Sequence, residues 1–323
     1  GASSVGRLGG LLGVDISGLM QLLAVPEEEA YRIFTLLNRG VQLSYALEAF
    51  EQKGIQAFTC FDDGYPQKLR SRMEAGAPPS LFFAGNRALF DQPAISVIGV
   101  SGIKTTPEVR QSIEAIVLGA KELGFPVIAG GELGVSRVAE GLILEHGGKL
   151  IVAVAGGLQE HALEETVAKL LADGRAALLS VEHPESLFTI PHAIARNKII
   201  FALSQAAFVF NTDGKRGETD ALKNRLCNWI YAHTGCPANR ALVSRGAVPF
   251  GELDKRFDVR GAEVLRGERQ LASPFEPLRV AAPTPRPTVV VLFEAGHARV
   301  APAGALGAEP VSEPFEVRLE PAL

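Results

Sequence analysis

The stretch HAIARNKIIFALS, residues 192–204, sets Arg196, Asn197 and Lys198 among a block of large apolar residues: Ile194, Ile199, Ile200, Phe201 and Leu203. A surface helix spreads its charges over the polar face, whereas these cations are bunched at one end. Arg, Asn and Lys in succession suit an anion: the guanidinium is a planar fork of donors, the amide a neutral donor and the ammonium a point charge. Three other stretches carry complementary backbone chemistry. GVSGIKTTP (99–107), AGGELGVS (129–136) and AGGL (155–158) each follow an apolar run and are rich in glycine. Glycine lets backbone N–H groups approach a phosphate, and a following helix N-terminus adds partial positive charge. Gly99, Ser101, Lys104, Gly130 and Gly131 are therefore read with Arg196, Asn197 and Lys198 as candidate phosphate ligands. On this reading the Arg-Asn-Lys run lies at the rim of an anion pocket, on a helix buried by the apolar block behind it. A plainer alternative stays open here: glycines that only make tight turns, and cations at a solvated helix start.

Other chemistry finds little support. No GxGxxG follows the first apolar run, and there is no GxxxxGK[ST] phosphate loop. His161, His192 and His233 are dispersed, with no Ser/His/Asp order. Glu132 and Glu140 flank a glycine-rich turn and are read as first-turn charges that complement a helix dipole. No HExxH, paired-cysteine cluster or DxDxG run supports a metal. No catalytic residue, metal or cofactor is expected.

These residues need elements to hold them. AISVIGV (94–100), FPVIAGG (125–131), KLIVAVAGG (149–157), AALLSV (176–181) and AAFVFN (206–211) are continuous apolar runs of strand length, and helical patterns fill the intervals. The clearest is TTPEVRQSIEAIVLGAKELG, where Val109, Ile113, Ile116, Val117, Ala120 and Leu123 share a face. Thr105 and Glu108 fit a capping box, Pro107 the first turn and Gly124 the end. Strands buried on both faces and alternating with amphipathic helices predict an α/β, doubly wound, mostly parallel sheet. Its ligand is expected outside the carboxyl ends of the strands.

Upstream, residues 1–62 read as a helical region, with Pro26 starting one helix, Gly40 ending it and a second closing at Gly54; IQAFTCF (55–61) alternates as a strand does. The α/β domain is expected over 63–252. Residues 253–323 read as a Pro-rich linker (APTPRP, 282–287) and a small β-rich extension, with a hairpin around Glu294-Ala295-Gly296 and a strand at FEVRLE (315–320). The 323 residues, 47% hydrophobic and 21% charged with net charge −4, can bury a large core and exclude a histone-like basic protein, though not a local basic pocket. No apolar run approaches a membrane span. Three cysteines without CxxC spacing fit a reducing cytoplasm better than a disulfide framework. The start, GASSVGRLGG, is read as partly an expression remnant.

The order of segments resembles the DprA/Smf family of bacterial DNA-processing proteins. YPQKL (65–69), PPSLFFAGN (78–86) and ISVIGV (95–100) are similar to the entry into that family's Rossmann-like domain. VIAGGELGVSRVAEG resembles its second glycine loop, GGKLIVAVAGGL its third strand, ARNKIIFALS its Arg-Asn-Arg stretch and NRALVSRGA (239–247) its closing Asn-x-Leu-Ile-x-x-Gly-Ala. The likeness runs over about 62–250. It implies single-stranded DNA binding, transfer of that DNA to a RecA-type recombinase during transformation, and no chemical catalysis. Several loops depart from the family pattern. Gly99-Val100-Ser101 stands for Gly-Ser-Arg, Val135-Ser136 follows Gly134 in place of Ile-Asp, Glu140 replaces a His after Ala139, and Lys198 replaces the second Arg. In KRGETDA (215–221), Gly217 and Thr219 are the counterparts of the family's Ser-Gly-Ser and Thr, while Lys215 and Arg216 add charge.

The leading expectation is non-catalytic binding of single-stranded DNA, or another phosphate-bearing ligand, by a chain able to form a homodimer. A nucleotide-sensing domain is the alternative. A phosphoribohydrolase is a third reading, since Gly217, Glu218 and Thr219 echo part of that group's motif without its glycine pair, and a protein-only scaffold is a fourth.

Overall fold

The apolar runs become strands of one sheet in a computed structural model that describes residues 8–100, 105–212, 217–251, 289–294 and 297–302. Three helices lead in: α1 (Ile16–Leu23), α2 (Glu27–Leu37) and α3 (Gly40–Gln52). Asp15 caps α1 by accepting from the Gly18 N–H at 2.8 Å. Pro26 precedes α2 as expected, but Gly40 opens α3 and does not close α2. Leu11, Leu19 and Ala30 form a small core of their own under α1 and α2.

The sheet elements follow in the order β1 (Ile55–Thr59), α4 (Gln67–Met73), β2 (Ser80–Gly85), β3 (Ile95–Ile98), α5 (Pro107–Glu122), β4 (Pro126–Ala129) and α6 (Val135–His146). Next come β5 (Lys149–Val154), α7 (Leu158–Ala162), α8 (Glu165–Ala172), β6 (Ala176–Ser180), α9 (Ile190–Leu203) and β7 (Ala206–Val209). The sheet closes with α10 (Glu218–Lys223), β8 (Trp229–His233), α11 (Arg240–Val243) and β9 (Val248–Phe250). The nine strands lie in the order β1-β2-β6-β5-β4-β3-β7-β8-β9. From β6 to β9 every pairing is parallel, and β1 and β2 add an antiparallel edge. This is the doubly wound, mostly parallel sheet predicted from the sequence. β2, β8 and β9 lack the long apolar runs that announced the central strands. β9 is three residues long with Pro249 at its centre, paired opposite Ala232.

Alternation assigns the two faces. In β5, Leu150, Val152 and Val154 pack with Ile113, Ile116 and Leu142 of α5 and α6, while Ile151 and Ala153 pack with Leu69 of α4 and Ile199, Ile200 and Phe201 of α9. The capping of α5 is shifted by one residue: Thr106, not Thr105, accepts from the Val109 N–H, at 3.4 Å. A second compact unit begins at Pro277. Its described part is an antiparallel hairpin of β10 (Val289–Glu294) and β11 (His297–Pro302), with Glu294 opposite His297. The linker at 282–287 and the strand expected at 315–320 lie outside the described residues.

The carboxyl end of α9 is held by Arg72 from α4. Its guanidinium donates to the Ala202 carbonyl at 3.0 Å and to the Ser204 and Leu226 carbonyls, with Asn228 Oδ1 at 3.3 Å. One side chain thus satisfies carbonyls that the helix end leaves without partners. Arg72→Leu is expected to lower stability by about 2–4 kcal/mol, since the acceptors on the buried Ala202, Ser204 and Leu226 lose a charged donor. Urea unfolding checks this, and a loss below about 0.5 kcal/mol would contradict it.

Candidate anion-binding cleft

Strand order reverses between β3 and β7, and there a ligand crevice is expected in an open parallel sheet. A small cleft, open to solvent, lies at that point. Gly99 and Val100 after β3, Gly130, Glu132 and Ser136 around the β4–α6 turn, Arg196 and Asn197 on α9, and Glu218 at the start of α10 line it. The turns are held by side chains: Ser136 Oγ accepts from the Gly130 N–H at 3.2 Å, and Asn211 Oδ1 accepts from the Val100 N–H. Asn239 donates to the carbonyls of Val209 at 3.0 Å, Phe210 at 3.2 Å and His233 at 2.9 Å, so it ties the ends of β7 and β8 together.

Arg196 is not at a rim. It is 3% exposed, and its Nη2 lies 2.6 Å from Glu132 Oε1. Nη1 donates to the Ala153 carbonyl at 3.2 Å and to the Gly130 carbonyl. The reason is helical spacing. Ala193, Arg196, Asn197, Ile200 and Leu203 recur at three- and four-residue intervals and are all buried, so the apolar face carries the guanidinium inward. A buried guanidinium needs a counter-charge and acceptors, and Glu132 with the strand-end carbonyls supplies both. A Cβ at Gly130 would sit 2.5 Å from Arg196 Nη1, so that position cannot carry a side chain without moving Arg196.

The other expected ligands divide. Gly99, Gly130, Arg196 and Asn197 meet at the cleft. Gly131 lies against the ring of His161. Lys198 points to the other side of α9 and pairs with Asp220 at 3.0 Å. Gly217 is the N-cap residue of α10, and Thr219 Oγ1 accepts from Arg245 at 2.8 Å. Ser101, Lys104, Lys215 and Arg216 lie outside the described residues. Glu132 precedes α6 and pairs with Arg196, and Glu140 is the sixth residue of α6, so neither is a first-turn acid.

Beside the cleft lies a second charged group. Arg137 pairs with Glu140 at 3.1 Å and with Glu164, and Glu164 reaches His161 at 3.1 Å. Burial pushes the wholly enclosed Glu140 carboxyl up to about 7, against the pull of Arg137. Burial also lowers His161, against the pull of Glu164. A carboxyl raised on folding contributes stability that is complete below about pH 4.5 and is lost as pH rises through about 7. Between pH 5 and pH 8 this group is expected to remove about 2–3 kcal/mol, at roughly 1.4 kcal/mol per pKa unit. Urea midpoints of Glu140→Gln should then be flatter across that range than those of the parent. Parallel pH profiles would count against the assignment.

A family model described as DNA recombination-mediator protein A matches residues 56–224, more than half of the 323-residue chain. DNA processing protein A from Streptococcus pneumoniae is similar in structure, with a TM-score of 0.57 and 21% identity over 75% of this chain and 83% of that one. DNA processing protein A from Helicobacter pylori, studied for its single-stranded DNA binding mode, gives 0.51 and 19% over 67% of this chain and 98% of that one. At these identities the likeness shows a shared fold. A comparison with curated proteins finds no match. The matched segment holds β1 through α10, and with them the cleft; the chain belongs to the DNA recombination-mediator protein A family.

Proposed function

We propose that this chain binds single-stranded DNA, without chemical catalysis, along the carboxyl edge of its sheet, in a DNA-processing and recombination role. The observation that carries the reading is the cleft at the strand-order reversal, where glycine turns, Arg196 and Asn197 converge in a member of a DNA recombination-mediator family. Gly99, Gly130, Asn197 and Arg196 are the proposed backbone and side-chain contacts, with Lys198, which pairs with Asp220 on the other side of α9, as a point charge for a strand that continues past the cleft. Ser101, Lys104, Gly131, Lys215, Arg216, Gly217 and Thr219 are proposed as further contacts, Gly217 and Thr219 on the family resemblance and Lys104, Lys215 and Arg216 on their charge. The family resemblance also supports a RecA-type recombinase as recipient, and a homodimer would gain affinity by engaging two segments of one strand. Cys60, Cys227 and Cys236 are free thiols, which supports a reducing cytoplasm. Among the described residues no helix is long and apolar enough to cross a membrane.

Phe188 stands 58% exposed just ahead of α9, and its backbone packs against Gly156 at the end of β5. An exposed ring on that edge offers a stacking surface for a base, which accepts any sequence.

Labelled oligo-dT titrated at several salt concentrations tests the proposal. Two to four phosphate contacts predict a slope of log K against log[salt] of about −1.4 to −2.8, at roughly −0.7 per contact. Lys198→Ala should make that slope shallower by about 0.7. Phe188→Ala should cost about 1–3 kcal/mol of binding with little change in slope. Absence of binding at low salt, together with stabilisation by mononucleotides, would replace this reading with a nucleotide sensor.

A further inference from the structure

We infer that Glu132 sets the specificity of the cleft: it is a resident carboxylate in the anion position of Arg196, and an incoming phosphate must displace it. The inference rests on the cleft being a phosphate site. Three observations carry it. The first is the layering from inside outward. The Ala153 and Gly130 carbonyls hold Arg196 Nη1, while Nη2 meets Glu132 Oε1 at 2.6 Å. The guanidinium is 4% exposed and the carboxylate 14%, so Glu132 is the more solvent-facing partner. A carboxylate on a guanidinium makes the same charge-assisted hydrogen bond that a phosphate oxygen would make.

The second observation is where each partner is anchored. Arg196 is in the middle of the fourteen-residue α9, with buried neighbours on either side. Glu132 is on the turn between β4 and α6, directly after Gly131 at φ +71° and before Leu133, which is 68% exposed. Exchange therefore asks for movement of a surface turn and leaves the helix in place. Third, the described ionic groups lining the cleft are Glu132, Glu218 and Arg196, a formal balance of −1. With Glu132 in position, an entering phosphate meets a carboxylate already seated on the guanidinium. Displacing that carboxylate from the guanidinium frees the fork for the ligand.

Mass action then decides which ligand can win. A competitor tethered in the same chain acts at an effective concentration of millimolar or more. Free phosphate or a mononucleotide, with one contact point, is excluded by such a competitor. A single strand, which engages several points along the edge, is not. Glu132 thus selects polyanionic strands over small phosphate compounds.

The test compares the parent with Glu132→Gln and Glu132→Ala, using oligo-dT and inorganic phosphate as probes in low salt. Gln keeps the shape and a hydrogen bond to Arg196 while removing the charge, so it decides the matter if the Ala variant fails to fold. The expected result is that oligo-dT binds about tenfold tighter in Glu132→Gln, the scale of one charge-assisted hydrogen bond. Inorganic phosphate should become able to compete with oligo-dT only in the variants. If the parent binds oligo-dT and the variants bind equally or more weakly, Glu132 is a structural partner and the inference is overturned, with the DNA-binding cleft intact. If none of the three proteins binds oligo-dT, the cleft reading itself falls and takes this inference with it.

Discussion

The carboxyl edge of the sheet is organised around one cation held inside the protein. A guanidinium that is 3% exposed is tolerated only if its charge is matched and its N–H groups are received. Arg196 meets that demand with Glu132 and with carbonyls at the ends of β4 and β5. Local features follow from the demand. A side chain at position 130 would have to displace Arg196, because Arg196 Nη1 occupies the space a Cβ would need. Ile199, Ile200 and Phe201 of α9 pack with Ile151 and Ala153 of the sheet and hold the helix against it beside Arg196. Arg72 fixes the far end of the same helix, and α9 is gripped by an arginine at its middle and another at its end.

The turn from Gly130 to Gly134 has a charged cluster on either side. Arg196 and Glu132 lie on one, and His161 with Glu164, Arg137 and Glu140 on the other. In both clusters each cation already faces a carboxylate. This local neutralisation agrees with a chain whose net charge is −4 and whose composition shows no basic excess. A polyanion approaching these two clusters therefore meets cations that are already paired, and the exchange of partners at short range inferred above is the way they would be released.

Much of the architecture was legible in the sequence, for a physical reason. Strands buried on both faces must be almost wholly apolar, and β3 to β7 are, with Ser96 and Ser180 their buried polar residues. The strands at the margins were harder. β8 is only partly buried at Trp229 and Tyr231, and β9 has three residues, so neither carries the uniform signal. In the cleft, residue types were informative and their direction was not. Arg196 and Asn197 were identified as anion-type residues, yet the burial of Arg196 was missed. The signal was present: 193, 196, 197, 200 and 203 fall on one helical face, and a cation on that face turns toward the sheet. The partner, Glu132, lies 64 residues away in sequence, and no local pattern announces a pairing across that distance. The same holds for Asn239, whose amide gathers carbonyls from two strand ends.

The outermost strand on the β8 side also constrains how chains can associate. β9 is short, and Pro249 at its centre has no N–H to give. A strand arriving from a second copy would find too few donors there to continue the ladder. Exposed sheet borders are common starting points for runaway aggregation, and a brief border interrupted by proline is one of the standard safeguards. On this side, self-association is directed away from open-ended strand addition and toward contacts between side chains, which can close on themselves and stop at a fixed number of subunits.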